Sequence, residues 1–134
     1  MTEAPGDAVA EFVEVMRRLR TECAWKAGQT HESLVPFLRE ETEELVEAIS
    51  SGDADHVCEE LGDVLLQVVF HAVIAEQAGT FTLDDVARGI TEKMRRRNPH
   101  VFDPASIGRT PDDPPLDPVA IDEIWERIKA DEKR

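Results

Sequence analysis

The chain has 134 residues, 41% of them hydrophobic and 33% charged, which is the composition of one soluble globular domain with a modest core. The formal net charge of −14 argues against nucleic acid or an anionic membrane as a partner of the chain as a whole. Seven glycines and no tyrosine argue against a β-sandwich or barrel, and long stretches of Ala, Leu, Val, Glu and Arg favour an all-α protein.

Five helices are predicted from apolar periodicity and from residues that begin and end helices. Thr30 and Asp53 are predicted N-caps, and Gly52 and Gly79 end the helices that precede them. Pro99 ends the fourth helix, because the residue before a proline disfavours helical geometry. The predicted helices cover approximately residues 7–22, 31–50, 54–78, 83–98 and 119–132.

These helices predict a single domain over residues 1–134, with a core at 7–102, a proline-rich extended connector at 103–118 and a C-terminal helix at 119–132. We expect an antiparallel bundle of four to five helices. The third helix is apolar on nearly every side, so it should be buried on most sides. A chain this short has few helices to cover it, and a second copy is expected to do so in a homo-oligomer.

Cysteine usage and the termini predict a cytoplasmic protein. Cys23 and Cys58 form no paired pattern that would indicate a disulfide framework or a zinc site. The stretch 1–10 has neither the basic nor the apolar region of a signal peptide. The longest apolar run, 64–75, is too short to span a membrane, so no membrane partner is expected.

The second helix places acidic residues on its apolar face. At about 100° per residue, Glu41 and Glu44 lie on that face, whereas Glu43 and Glu47 point away and Glu40 lies at its edge. An unpaired buried carboxylate is costly, so these two side chains require a partner. The apolar residues of the same face are Leu34, Phe37, Leu38, Leu45, Ala48 and Ile49.

The third helix repeats this pattern. Its one polar stripe contains Glu60, Asp63, Gln67 and His71, in an otherwise mostly apolar circumference. Because a short loop makes the two helices antiparallel neighbours, both carboxylate pairs can converge. Four carboxylates are oxygen-only ligands, which suit Mg²⁺, or Mn²⁺, better than zinc. A di-iron site would instead favour Glu-x-x-His pairs.

A basic cluster follows an acidic stretch in the sequence. Residues 40–87 contain no Lys or Arg, and four basic residues then occur between Lys93 and Arg97. Lys93 and Arg97, four residues apart on one helix face, suit binding of phosphate oxygens. Arg95 and Arg96 are better explained as favourable cations at a helix C-terminus, and the acids alone could serve solubility.

Several motifs together resemble the MazG-type nucleoside triphosphate pyrophosphohydrolases, of the all-α NTP pyrophosphatase superfamily. The stretch 40–44 (EETEE) and the stretch 60–63 (ELGD) match the family's EExxE…ExxD pattern, and the similarity covers about residues 16–102. A lone EExxE is common on helices, but the ordered set is specific. The further matching stretches are CAW at 23–25, QTH at 29–31, LLQVVFHA at 65–72, RRNPHVF at 96–102 and WERIK at 125–129.

The resemblance implies an all-α enzyme that uses Mg²⁺ to hydrolyse nucleoside triphosphates to monophosphate and pyrophosphate, as a homodimer or homotetramer. For metal-assisted hydrolysis, we expect Glu40 or Glu41 to orient or deprotonate the attacking water, and Gln67 either to contact the nucleotide or to pack as a buried amide. The implied metal ligands are Glu41, Glu44, Glu60 and Asp63; Lys93 and Arg97 match phosphate-binding positions; Trp25 matches a base-contacting aromatic and Trp125 a nucleotide-contacting tryptophan.

One departure from the family pattern bears on substrate choice. The usual Cys-Pro-Trp-Asp turn is Cys-Ala-Trp-Lys here, with Lys26 in place of the acid. Related specificities for dCTP, dUTP or phosphoribosyl-ATP are therefore alternatives. A non-enzymatic acidic helical interaction module, in which the carboxylates bind metal structurally, is a further alternative.

Overall fold

A computed structural model describes residues 6–133, and every regular element in this part of the chain is a helix, without a β-strand. The prediction of an all-α protein is confirmed. The elements are α1 (Asp7–Glu22), α2 (Ala24–Ala27), α3 (Val35–Ser51), α4 (Ala54–Gln77), α5 (Leu83–Arg97), α6 (Pro99–Phe102), a 3-10 helix (Pro104–Ile107) and α7 (Pro118–Glu132).

The chain divides into two compact units, one ending at Leu83 and the other beginning at Asp84. The first contains α1 to α4, and the second contains nearly all of α5 and the elements that follow it. The predicted single domain over 1–134 and the number of helices in its bundle stay predictions. Among residues 6–133, every helix is too short or too polar to cross a membrane.

The core of the first unit lies where α1 and α4 pack together. Met16 from α1 and Phe70 from α4 are each 1% exposed. Removing a side chain of this size from water contributes about 2 kcal/mol. Arg17 of α1 donates to both carboxylate oxygens of Glu76 on α4, at 2.9 and 2.7 Å, which fixes the two helices against each other. The other buried core residues are Leu34, Val69 and Val73.

The second predicted helix begins later than expected, at Val35. Thr30 and Ser33 bond each other's backbone amides through their hydroxyl groups, so Thr30 caps a turn rather than the helix. Pro36 explains the delay, because it has no N–H to donate to the carbonyl of Glu32. That carbonyl accepts from the Val35 amide at 3.2 Å instead, which closes the turn before the helix starts.

The connection between α3 and α4 is as predicted. Gly52 adopts a left-handed conformation with φ of 74°, which a residue without Cβ does at little cost. Asp53 then caps α4, its carboxylate accepting from the amides of Asp55 and His56 at 3.0 and 3.4 Å. A two-residue link makes α3 and α4 an antiparallel hairpin, and the two helices pack along each other.

The predicted burial of the hairpin's apolar faces is only partly correct. Leu34 and Ala48 are buried, but Phe37, Leu38 and Ile49 are exposed, since α3 packs on α4 along one side. On α4, the apolar residues of the outer face also remain exposed in the single chain. The predicted burial of this helix on most sides therefore depends on the expected second copy and stays a prediction. The exposed residues of that face are Leu61, Leu65 and Val68.

The second unit contains short helices that the sequence patterns did not predict. Both α6 and the 3-10 helix begin with a proline, and the 3-10 helix lies in the stretch predicted to be extended. A proline at the first position of a helix loses no hydrogen bond, so a proline-rich stretch can still form single turns. The last helix is as predicted, with Asp117 accepting from the Ala120 amide at 2.9 Å as its cap.

Candidate metal centre and nucleotide-binding residues

The α3–α4 hairpin brings four carboxylates to one place. Glu41 and Glu44 come from α3, and Glu60 and Asp63 come from α4. One oxygen from each lies within 4.8 Å of the others. The convergence follows from the hairpin, because Glu44 and Glu60 are equally far along the chain from Gly52, as are Glu41 and Asp63. Antiparallel helices therefore place each pair at the same level.

The cluster is partly enclosed by the protein. Glu60 is only 9% exposed, Glu41 and Asp63 are half-buried and Glu44 is exposed. The Oε2 atoms of Glu41 and Glu60 are buried and have no hydrogen-bond partner among the described residues. Glu40 is exposed and lies outside the cluster of four.

Two of the four carboxyl groups have a pKa above the ordinary value of a glutamate, because they are buried and repelled by their neighbours. Burial, followed by repulsion from Glu44 and Asp63, raises the pKa of both Glu41 and Glu60. His56, one turn before Glu60 on α4, places Nε2 at 3.4 Å from Glu60 Oε1, and its influence partly offsets the rise in the Glu60 pKa. The four carboxylates thus repel one another, and a bound cation would offset this repulsion.

The donor set fits a hard divalent cation. Every converging atom is a carboxylate oxygen, and two oxygens of these carboxylates are buried without a partner among residues 6–133, a situation that a bound cation would relieve. A tetrahedral zinc site would instead use nitrogen or sulfur ligands. These residues can therefore hold a metal ion of the Mg²⁺ or Mn²⁺ type.

The raised pKa values predict how the metal-free protein responds to pH. The folded state holds the Glu41 proton more tightly than the unfolded chain does, so this group's contribution to stability falls as pH rises above the ordinary value of 4.5. Glu41→Gln removes the ionisation. In EDTA, we expect the Tm of Glu41→Gln to exceed that of the wild type by an amount that grows between pH 4.5 and 7.

The matched control is Glu47→Gln, an exposed acid on the same helix outside the cluster. Its Tm should follow the wild type over the same pH range in differential scanning calorimetry. A Glu41→Gln difference that is constant with pH would contradict the proposed repulsion.

Gln67 and His71 continue the polar stripe of α4 beyond Asp63. Gln67 is 5% exposed, and its Oε1 is buried without a partner among the residues that the structure describes. His71 Nδ1 lies 2.7 Å from His31 Nδ1, so one of the two nitrogens must donate and the other accept. Burial and the neighbouring His31 lower the pKa of His71, which favours the neutral ring. This pair was not predicted, because its members are distant in sequence.

Trp25 lies on α2, in a turn that other residues hold in place. Arg20 donates to the backbone carbonyls of Lys26 and Gln29, and the Gln29 side chain donates to the Trp25 carbonyl at 3.0 Å. Trp25 as a whole residue remains 51% exposed. Phe37 contacts it edge-to-face with centroids 5.6 Å apart, and the Lys26 ammonium lies 5.4 Å from its centroid. An exposed aromatic ring on a fixed backbone suits stacking with a ligand.

The predicted phosphate-binding residues lie in the second unit. Lys93 is half-buried, and it forms no ion pair with any residue between 6 and 133. Arg97 donates through a terminal nitrogen to Glu132 Oε2 at 2.9 Å, and its Nε is buried without a partner in the described chain. Trp125 donates from Nε1 to Asn98 Oδ1 at 2.8 Å.

Two residues that contact the candidate site residues, namely His56 and Glu132, were not predicted from the sequence. The contact of His56 with Glu60 follows from their i, i+4 spacing and could have been predicted. The contact of Glu132 with Arg97 could not, since helix periodicity says nothing about a residue 35 positions away.

The fold and the cluster define an all-helical protein with an acidic hairpin that could hold a metal ion, and comparison with known proteins gives its family. The MazG nucleotide pyrophosphohydrolase domain matches residues 29–102. The chain belongs to this MazG family, as the sequence motifs predicted.

Curated relatives agree with this assignment. The nucleoside triphosphate pyrophosphohydrolase/pyrophosphatase MazG of Thermotoga maritima is 48% identical over 99% of this chain and 48% of its own length. The nucleoside triphosphate pyrophosphohydrolase of Mycolicibacterium smegmatis is 46% identical over 97% of this chain and 38% of its own length. The chain thus spans about half, or less, of these relatives.

A solved structure supports the fold. The crystal structure of a mazG-related protein from Thermotoga maritima superposes with a TM-score of 0.73 at 24% identity. The match covers 90% of this chain and 98% of that one.

Proposed function

We propose that this chain hydrolyses nucleoside triphosphates to nucleoside monophosphate and pyrophosphate with a divalent cation, Mg²⁺ or Mn²⁺. The convergence of four carboxylates within 4.8 Å, in a chain of the MazG family, carries this proposal. Two relatives whose names state this activity support it. The proposed ligands are Glu41, Glu44, Glu60 and Asp63.

When bound, the cation supplies charge neutralisation on phosphate oxygens and lowers the pKa of water. The chain's own residues bind and orient the substrate. Lys93 and Arg97 contribute positive charge to phosphate oxygens. The exposed ring of Trp25 offers a stacking face to the base. Gln67 Oε1, which has no partner within residues 6–133, accepts from a polar group of the nucleotide. Trp125 contributes a further nucleotide contact.

The proton of the attacking water requires a base, and Glu40 and Glu41 remain the two choices. Glu40 is exposed and outside the cluster, so Glu40→Gln should leave Mg²⁺ affinity unchanged in calorimetry. If Glu40 is the base, kcat falls by about 10² to 10⁴, the usual contribution of general base catalysis. An unchanged kcat would assign the role to Glu41.

We also propose that the protein acts as a homodimer or homotetramer in the cytoplasm. The exposed apolar residues on the outer face of α4, namely Leu61, Leu65 and Val68, support association, because an exposed apolar patch of this kind favours contact with another surface. Light scattering on the purified protein measures the oligomeric state directly, and a monomer at micromolar concentration would contradict this part of the proposal.

A nucleotide panel tests the activity. Pyrophosphate release should be measured with Mg²⁺ for the ribo- and deoxyribonucleoside triphosphates, including dCTP and dUTP, and for phosphoribosyl-ATP. We expect release from at least one nucleoside triphosphate. Release from phosphoribosyl-ATP alone would replace the proposed substrate class, and the absence of pyrophosphate from every compound would reject the enzymatic function.

A further inference from the structure

Two arginines at the end of α5 converge on one carboxylate from α7. Glu132 Oε1 accepts from Arg96 Nε at 2.7 Å, and Glu132 Oε2 accepts from the terminal nitrogen of Arg97 at 2.9 Å. The Glu132 and Arg97 side chains are only 25% and 22% exposed. Two guanidinium groups on one anion are the arrangement that proteins use to bind phosphate. Glu132 therefore occupies the position of an anionic ligand.

Glu132 accepts a hydrogen bond from only one nitrogen of the Arg97 guanidinium group. Arg97 gives it one terminal nitrogen, while Arg97 Nε remains buried without a partner in the described chain. A phosphate group has more acceptor oxygens than a carboxylate and can bond to Nε and the terminal nitrogen together. The geometry thus leaves a donor that a phosphate ligand would satisfy and that Glu132 does not.

A second bond joins α7 to the residue that follows α5. Trp125 of α7 donates to Asn98, the residue that follows Arg97. In this conformation, the indole N–H of Trp125 and the charge of Arg97 are therefore both engaged within the second unit. These are two of the residues to which nucleotide contacts are assigned above.

We propose that Glu132 is an internal competitor for the phosphate-binding arginines, and that α7 docked on α5 is a self-inhibited conformation from which a phosphate ligand displaces the carboxylate. The inference rests on the proposed function for its physiological ligand, a nucleoside triphosphate. Arg97 in this state is available to phosphate only in the fraction of molecules whose ion pair is open, so the apparent affinity is lowered by that fraction.

The test is pyrophosphate binding by the full chain, measured by calorimetry in EDTA so that neither the metal centre nor turnover contributes. Glu132→Gln keeps the size of the side chain and removes its charge. We expect the Kd for pyrophosphate to fall about three-fold, the scale of a partly exposed ion pair. Glu123→Gln is the matched control, because it is an exposed acid on the same helix, and its Kd should equal that of the wild type.

A Kd that is unchanged or raised in Glu132→Gln would overturn the proposal, since Glu132 would then position the Arg97 side chain rather than compete with phosphate for it. If circular dichroism shows that this variant is unfolded, Trp125→Phe gives the answer instead. It removes the bond to Asn98, and pyrophosphate has no base for the ring to contact, so the same fall in Kd is expected. An unchanged Kd in that variant would equally overturn the proposal.

Kinetics separate this inference from the proposed function. With an active enzyme, Glu132→Gln should lower KM for the triphosphate about three-fold at unchanged kcat. A wild type that releases no pyrophosphate from any nucleotide rejects the function but leaves the pyrophosphate Kd as a valid test. If the enzyme is active and Glu132→Gln changes neither its KM nor its pyrophosphate Kd, the proposed competition is rejected and the proposed function is not.

Discussion

Glu44→Gln should reduce pyrophosphate release by about a hundred-fold or more while the protein remains folded. A bound cation stabilises charge in the transition state by several kcal/mol, and about 1.4 kcal/mol corresponds to ten-fold in rate. Glutamine keeps the shape of the side chain but gives up one of the four anionic oxygens that lie within 4.8 Å of each other. Steady-state kinetics at saturating Mg²⁺ and circular dichroism measure the two parts of this prediction.

The same variant should be more heat-stable than the wild type when metal is absent. The Glu44 charge raises the pKa of both Glu41 and Glu60 by repulsion, and the substitution removes that repulsion. Glu47→Gln makes the same chemical change on the same helix outside the cluster, and its activity should stay at the wild-type level. Full activity in Glu44→Gln would exclude Glu44 as a metal ligand.

Chelation of divalent cations should abolish turnover, and added Mg²⁺ or Mn²⁺ should restore it. Binding of a cation to the folded state alone also raises the melting temperature. At a free metal concentration about 100 times Kd, this linkage adds about 2.7 kcal/mol of stability. Differential scanning calorimetry across a Mg²⁺ titration, after dialysis against EDTA, measures the shift.

Asp63→Asn is the informative comparison for this titration, because it removes a ligand from the other helix of the hairpin. Its Tm should respond to Mg²⁺ much less than that of the wild type, whereas Glu47→Gln should respond fully. If Mg²⁺ leaves the Tm of the wild type unchanged, the four carboxylates do not form the metal site.

Much of this protein could be predicted from local sequence. The helix α1 has the predicted bounds, and the turn at Gly52 and the cap at Asp53 follow from properties of single residues, left-handed backbone and a short acceptor side chain. The convergence of Glu41, Glu44, Glu60 and Asp63 was predictable too, because helix periodicity and a two-residue link determine which side chains of a hairpin meet.

Contacts between distant segments required the folded chain. The pairing of His31 with His71, the contact of Glu132 with Arg96 and Arg97, and the bond from Trp125 to Asn98 each join residues at least 27 positions apart. No periodicity connects such residues, since their meeting depends on how whole helices pack.

The sequence by itself therefore determined the fold class, the α3–α4 hairpin and the meeting of its four acidic residues. All three depend on local helix geometry. Tertiary packing alone showed which apolar residues stay exposed and that Arg97, expected to be open to phosphate, is held by a carboxylate from α7. Burial and long-range ion pairing depend on the neighbours that packing supplies, and those neighbours cannot be inferred from one helix at a time.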